Sequence, residues 1–185
     1  MNKLSIRFYL IFAFSNLCWL PLSGGQNCED NSIITQELQD FLSCCSGRPL
    51  YTSEICIDKM IGKNKFSPNC LIDCMYREYQ IYDDDVETID LEAAKNLLNE
   101  QIVNEEFNPV YGQAFERCSK FEKSALLEVF AFVNITNQNA CDDYPMFMDS
   151  CVWAYTVANC PESHALQSAE CRQKTEWVNK CLFKE

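Results

Sequence analysis

A single histidine, His164, stands in 185 residues, and no Gly-x-Ser-x-Gly elbow occurs, so the chain lacks the usual parts of a hydrolytic triad. His164 follows Pro161 closely and reads as a solvent-facing residue at the start of an exposed helix. Basic side chains are also scarce: 15 Lys and Arg stand against 27 Asp and Glu, a net charge of −12. Nucleic acid and anionic membranes demand positive patches and are disfavoured as partners. No two cysteines are separated by a two-residue gap, which together with the lone histidine argues against zinc. Asp83, Asp84 and Asp85 lack the glycine and distal glutamate of a calcium loop and read as a solvated turn. There is no internal repeat, low-complexity stretch or Gly-Ser linker. These absences predict one domain, no enzyme, no metal and no cofactor.

What the chain does have is cysteine, thirteen in all. Residues 1–25 read as a signal peptide: Lys3 and Arg7 lead into an apolar run from Phe8 to Phe14 that continues through Leu17, Trp19, Leu20 and Leu22. Ser23 and Gly25 supply small residues before a cleavage ahead of Gln26. Ser15 and Asn16 interrupt the run, which is too short for a membrane span. Cys18 leaves with the leader, and the remaining twelve cysteines form the even set of an oxidised extracellular framework. Two of the fifteen basic residues leave as well, so residues 26–185 carry 13 basic against 27 acidic side chains, net −14. Asn134, Ile135 and Thr136 form a glycosylation acceptor that the secretory pathway can use.

Residues 26–185 read as helical. Ile34, Leu38, Phe41, Leu42 and Cys45 follow an amphipathic spacing. Ser53 caps a short helix carrying Cys56, Ile57, Met60 and Ile61, which Gly62 ends. Ser67 and Pro68 open the next, with Phe66 placed to staple onto Leu71. Asp90 caps a helix lined by Leu91, Ala94, Leu98 and Ile102, and Asn108 with Pro109 opens one carrying Tyr111, Ala114, Phe115 and Cys118. The apolar stretch from Ser124 to Asn134 suits a buried helix or a strand. From Pro145 to Asn159 the chain is apolar nearly all round, which predicts a central helix stopped by Pro161. The tail from His164 to Phe183 predicts a further helix or two, with Leu166, Trp177, Val178 and Leu182 facing inward.

On a helix, Cys70 and Cys74 share one face and tie it to two other segments, whereas Cys151 and Cys160 lie on roughly opposite faces. The full run is Cys70, three residues, Cys74, forty-three, Cys118, twenty-two, Cys141, nine, Cys151, eight, Cys160 and Pro161, then ten to Cys171 and nine to Cys181. With the upstream Cys44 and Cys45 doublet, this spacing resembles that of the Plus-C group of insect odorant-binding proteins. The resemblance implies an all-α, disulfide-stapled domain of six to eight helices around an internal apolar cavity. It also implies the pairs Cys70 with Cys151, Cys118 with Cys160, and Cys74 with Cys44 or Cys45. Cys28, one of the doublet, Cys56, Cys141, Cys171 and Cys181 stay unassigned.

The resemblance further implies a secreted carrier of odorants, pheromones or related fatty compounds through sensillum lymph or another secreted fluid. A chemosensory receptor and a second copy of the chain are its candidate protein partners. Candidate pocket walls are Leu71 and Met75 on the stapled helix, Leu98 and Ile102 on the helix capped by Asp90, and Phe115. Phe130 and Phe132 follow, with Met148, Val152 and Tyr155 from the central helix. Met and aromatic side chains suit an adaptable pocket. Trp177 closes the pocket from the tail or, in the plainer reading, packs. The alternative function is a rigid secreted scaffold that binds another protein, with its apolar residues consumed by packing.

Overall fold

The computed structural model describes residue 28 and residues 41–48, 52–62, 67–83, 85, 87–101, 104–129 and 141–183. The chain divides into two units, Met1–Asp30 and Asn31–Glu185. In the first, the described residue is Cys28, which is exposed and disulfide-bonded. The second is all-α in class. Its described helices are α1 (Glu54–Gly62), α2 (Pro68–Glu78), α3 (Leu91–Gln101), α4 (Asn108–Cys118), α5 (Lys123–Val129), α6 (Tyr144–Ala158) and α7 (Ala169–Cys181). A two-stranded antiparallel hairpin, β1 (Tyr82–Asp83) and β2 (Thr88–Ile89), joins α2 to α3.

Local chemistry sets the helix starts. Ser53 Oγ accepts from the Cys56 amide at 3.3 Å at the head of α1. Asp90 Oδ1 accepts from the Glu92 and Ala93 amides at 2.8 and 3.0 Å at the head of α3, and Ser168 Oγ accepts from Cys171 at 3.0 Å for α7. Proline stands in the first turn of α2, α4 and α6, where its missing N–H would have had no helical partner. Ser67 departs from expectation: its hydroxyl bonds the Asn69 side chain instead of capping the α2 backbone. The segment left open between helix and strand is helical over Lys123–Val129. Phe66, Ile102, Phe130, Phe132 and Asn134 lie outside the described residues, as do residues 1–25.

The exit from α2 accounts for the hairpin, which the sequence reading took for a turn alone. Gln80 adopts a left-handed φ of 57°, its amide donates to the Arg77 carbonyl and the Ile81 amide to the Tyr76 carbonyl. This is the paired-bond helix ending in which glycine normally occupies the left-handed position. Ile81, fully buried, anchors the reversal, and Asp83 Oδ1 then accepts from the Asp85 amide at 2.9 Å within the tip.

α6 is the centre of the domain and touches α2, α4, α5 and α7. Met148, Cys151, Val152 and Val157 on it are wholly buried. Its links to α2 pair Asn69 with Asp143, Cys70 with Cys141 and Tyr76 with Asp149. Those partners advance together, so α2 and α6 run side by side in the same direction. α4 runs the opposite way: Cys118 meets Cys151, while Gln113 and Tyr111, earlier on α4, meet Tyr155 and Trp153, later on α6.

That arrangement overturns the disulfide pairs implied by the resemblance. Cys70 bonds Cys141 rather than Cys151, Cys118 bonds Cys151 rather than Cys160, and Cys74 bonds Cys56 rather than either member of the doublet. Cys44 takes Cys171 and Cys45 takes Cys160. Because α2 and α6 start side by side, the first turn of α2 faces the approach to α6; Cys151, well along α6, lies opposite the last turn of α4. Cys160 falls beyond the end of α6, where the doublet loop reaches it. Two parts of the sequence reading hold: Cys70 and Cys74 tie α2 to two different segments, and all twelve cysteines from Cys28 to Cys181 are oxidised.

Two tail residues differ from expectation. Leu166 is 54% exposed, because it lies in the extended stretch before α7, where its amide bonds the Cys44 carbonyl at 2.9 Å. His164 sits in the turn before that stretch rather than at a helix start, and its side chain is 26% exposed. Its ring lies 5.0 Å from Phe107, and Nε2 is 3.1 Å from Glu106 Oε2. The Cys45–Cys160 bond and the bridge between Cys45 and Ala165 draw His164 inward. Trp177 and Val178 are buried as expected, and Leu182 is half-buried.

Candidate functional site

The candidate wall residues separate into three groups. Met75, Met148 and Val152 are buried in the common core of the helices. Leu71 and Tyr155 sit half-buried at its edge, where the Tyr155 hydroxyl donates to Gln113 Oε1 at 3.3 Å and its ring meets Phe183 edge-on at 5.0 Å. Leu98 and Phe115, 3% and 1% exposed, belong to the same core and also border an open cleft between α3 and α4. Trp177, 2% exposed, packs in the core.

The cleft has a volume of about 440 Å³, within the usual range for small-molecule sites. Leu91, Leu98 and Phe115 give it an apolar floor, and Lys95, Glu116 and Lys120 its rim. Both lysines are held by glutamates of their own helix, Lys95 by Glu92 at 2.6 Å and Lys120 by Glu116 at 3.1 Å. Gly112 leaves the middle open, since a Cβ there would meet nothing within 4 Å. The amphipathic spacing singled out Leu98 and Phe115 but not Gly112, whose significance depends on what stands opposite it.

A second constellation escaped the sequence reading. The doublet loop ends at Arg48, whose guanidinium lies 4.6 Å over the Trp153 ring. Trp153 meets Tyr111 edge-on at 5.9 Å, and Tyr111 meets Phe107 at 6.4 Å. Among the described residues, no hydrogen-bond partner reaches Arg48 Nε or Nη1, although both are shut off from solvent. Burial lowers the Arg48 pKa and raises that of Tyr111, the neighbouring Arg48 charge only partly opposing the latter. Asn108 Oδ1, one turn before Tyr111 on α4, is also buried without a partner among the described residues. A lone arginine carries no motif, so no signal in the sequence pointed to it.

A third opening, about 610 Å³, lies over the hairpin, where Arg77, Gln80 and Tyr82 meet Asp83, Asp85 and Asp90. Among the described residues, no group of three or more His, Cys, Asp or Glu side chains is arranged to hold a metal ion. None of their helices is long and apolar enough to cross a membrane. The set of disulfides is that of a chain matured in an oxidising compartment. No family model matches this chain, and neither does any curated protein or solved structure.

Proposed function

We propose that the chain is a secreted carrier of small hydrophobic molecules, of the kind its cysteine spacing resembles: a Plus-C odorant-binding protein that moves odorants, pheromones or related lipophiles through aqueous lymph to receptors. The signal-like leader and the oxidised cysteines support export. The observation that carries the reading is the α3–α4 cleft, in which Leu98 and Phe115 form an apolar floor beside the empty space at Gly112. Burying a ligand there gains about 25 cal/mol per Å² of apolar surface, so micromolar binding of a ligand of about a dozen carbons is within reach.

Packing supports a second reading, a secreted scaffold that binds another protein. Met75, Met148 and Val152 are spent on the core, and Ile55 and Ile61 on α1 are 52% and 64% exposed. Displacement of a fluorescent apolar probe from the oxidised protein separates the two. Saturable displacement by several odorant-sized compounds supports the carrier, and absence of probe uptake supports the scaffold.

A further inference from the structure

The geometry points to Arg48 as an anchor for the carboxylate of an acidic amphiphile, held between the doublet loop, α4 and α6. The proposal rests on the carrier reading and adds to it a site apart from the α3–α4 cleft, with its own class of ligand: medium-chain carboxylic acids in preference to the matching alcohols or esters.

The first argument is preorganisation. In the four residues before Arg48, Cys44 and Cys45 are bonded to Cys171 and Cys160, and Cys45 bridges Ala165. The Ser46 amide and hydroxyl both donate to the His164 carbonyl at 2.9 Å. Gly47 takes a left-handed φ of 65°, and a side chain there would crowd the His164 ring at 3.1 Å. The constraint ends at the residue that presents a guanidinium to Trp153.

The second argument is the unmet demand of that guanidinium. Arginine stays protonated in proteins and offers five donors in a planar fork. Two of its nitrogens are buried here with no acceptor among the described residues, a situation that is costly unless an acceptor arrives. The faces beside it are aromatic: Trp153, then Tyr111 and Phe107. A donor fork bordered by aromatic rings matches a planar carboxylate followed by an apolar tail.

Charge selects a monoanion. Among the described residues, the titratable group whose charge Arg48 feels is Tyr111 from α4; Tyr111 in turn feels Asp149 on α6, whose Oδ1 accepts from the Tyr76 hydroxyl of α2 at 3.3 Å. A single arginine accepts one negative charge better than the two of a phosphate. The chain's net charge of −12 repels anions at long range, so a preference for acids would require a local cation.

The test compares decanoic acid with decanol as displacers of a fluorescent apolar probe from the oxidised protein at pH 7.5. The acid is expected to displace at a concentration at least tenfold lower. Arg48→Gln should remove that preference and leave decanol unchanged, while Arg48→Lys, which keeps charge without the fork, should retain part of it. Should these variants fold poorly, the unaltered protein still decides: the preference should vanish as pH falls through the carboxylic-acid range of the ligand and the decanol curve stays flat. Equal displacement by acid and alcohol, or a preference that survives in Arg48→Gln or at acid pH, overturns the anchor and leaves the carrier standing. If neither compound displaces the probe, the carrier reading fails and the anchor falls with it.

Discussion

The Tyr82 hydroxyl on β1 donates to Asp142 Oδ2 at 2.6 Å and so fastens the hairpin to the approach to α6. The Tyr144 amide donates to the other oxygen at 2.9 Å, and Lys123 stands 4.0 Å away. Burial alone would raise the Asp142 pKa, but these bonds, with the charges of Lys123 and Arg77, outweigh it and hold the carboxyl below its ordinary value of 3.8. A depressed acid stabilises the fold above its unfolded pKa, and that stabilisation is lost as pH falls through the folded value. Asp142→Asn should therefore cost about 1.5 kcal/mol at pH 7, with the difference from the parent vanishing under strong acid, as read from urea unfolding at several pH values. Asp73 behaves oppositely: burial raises its pKa despite Arg77 at 2.7 Å, so its ionisation opposes folding as pH rises through the folded value.

The doublet disulfides should depart from additivity by about 1 kcal/mol. Each closes more than a hundred residues, with separations of 127 and 115. With either present, however, the other closes only a short loop, since the pairs lie one residue apart at one end and eleven at the other. Removing one as a Cys→Ser pair should cost about 3 kcal/mol on the loop-entropy estimate. Removing the second should then cost about 4 kcal/mol, because the Cys70–Cys141 bond still shortens the path. Equal and additive losses in urea would contradict this.

Gly112 offers a separation of fold from binding. Gly112→Ala meets no neighbour within 4 Å and removes a mid-helix glycine, so stability should rise by up to about 1 kcal/mol. Gly112→Leu should fill the α3–α4 cleft, leave circular dichroism unchanged and weaken apolar ligands at least tenfold. Unaltered affinity in that variant would place the ligand elsewhere.

At the end of α2, Gln80 holds a left-handed conformation that costs a side-chain-bearing residue about 1 kcal/mol or more. Gln80→Gly should relieve it and raise the melting temperature, for a gain of up to about 1 kcal/mol after the added freedom of the unfolded chain is subtracted.

The legible parts of the site were those whose cause is local. Leu98 and Phe115 each lie on a helical stripe, and both appear at the cleft floor. Met148 and Val152 lie on such a stripe too, and all four belong to the core, because a stripe marks what leaves water and says nothing of whether a ligand or another helix covers it. Arg48 and Gly112 carry no periodic signal. Their significance comes from Trp153, more than a hundred residues away, and from the space between two helices.

The sequence by itself determined where most of the helices begin and where α6 stops. Ser53, Asp90, Pro68, Pro109, Pro145 and Pro161 act on backbone groups within a turn of themselves, so their effect needs no knowledge of the rest of the chain. Only the tertiary structure decided which sulfurs meet, since a disulfide needs its two Cα atoms within about 7 Å, and here they stand 5.2 to 5.9 Å apart. That proximity follows from α2 running alongside α6 while α4 runs against it. Spacing along a chain does not encode helix direction in space; the packing of apolar faces sets it.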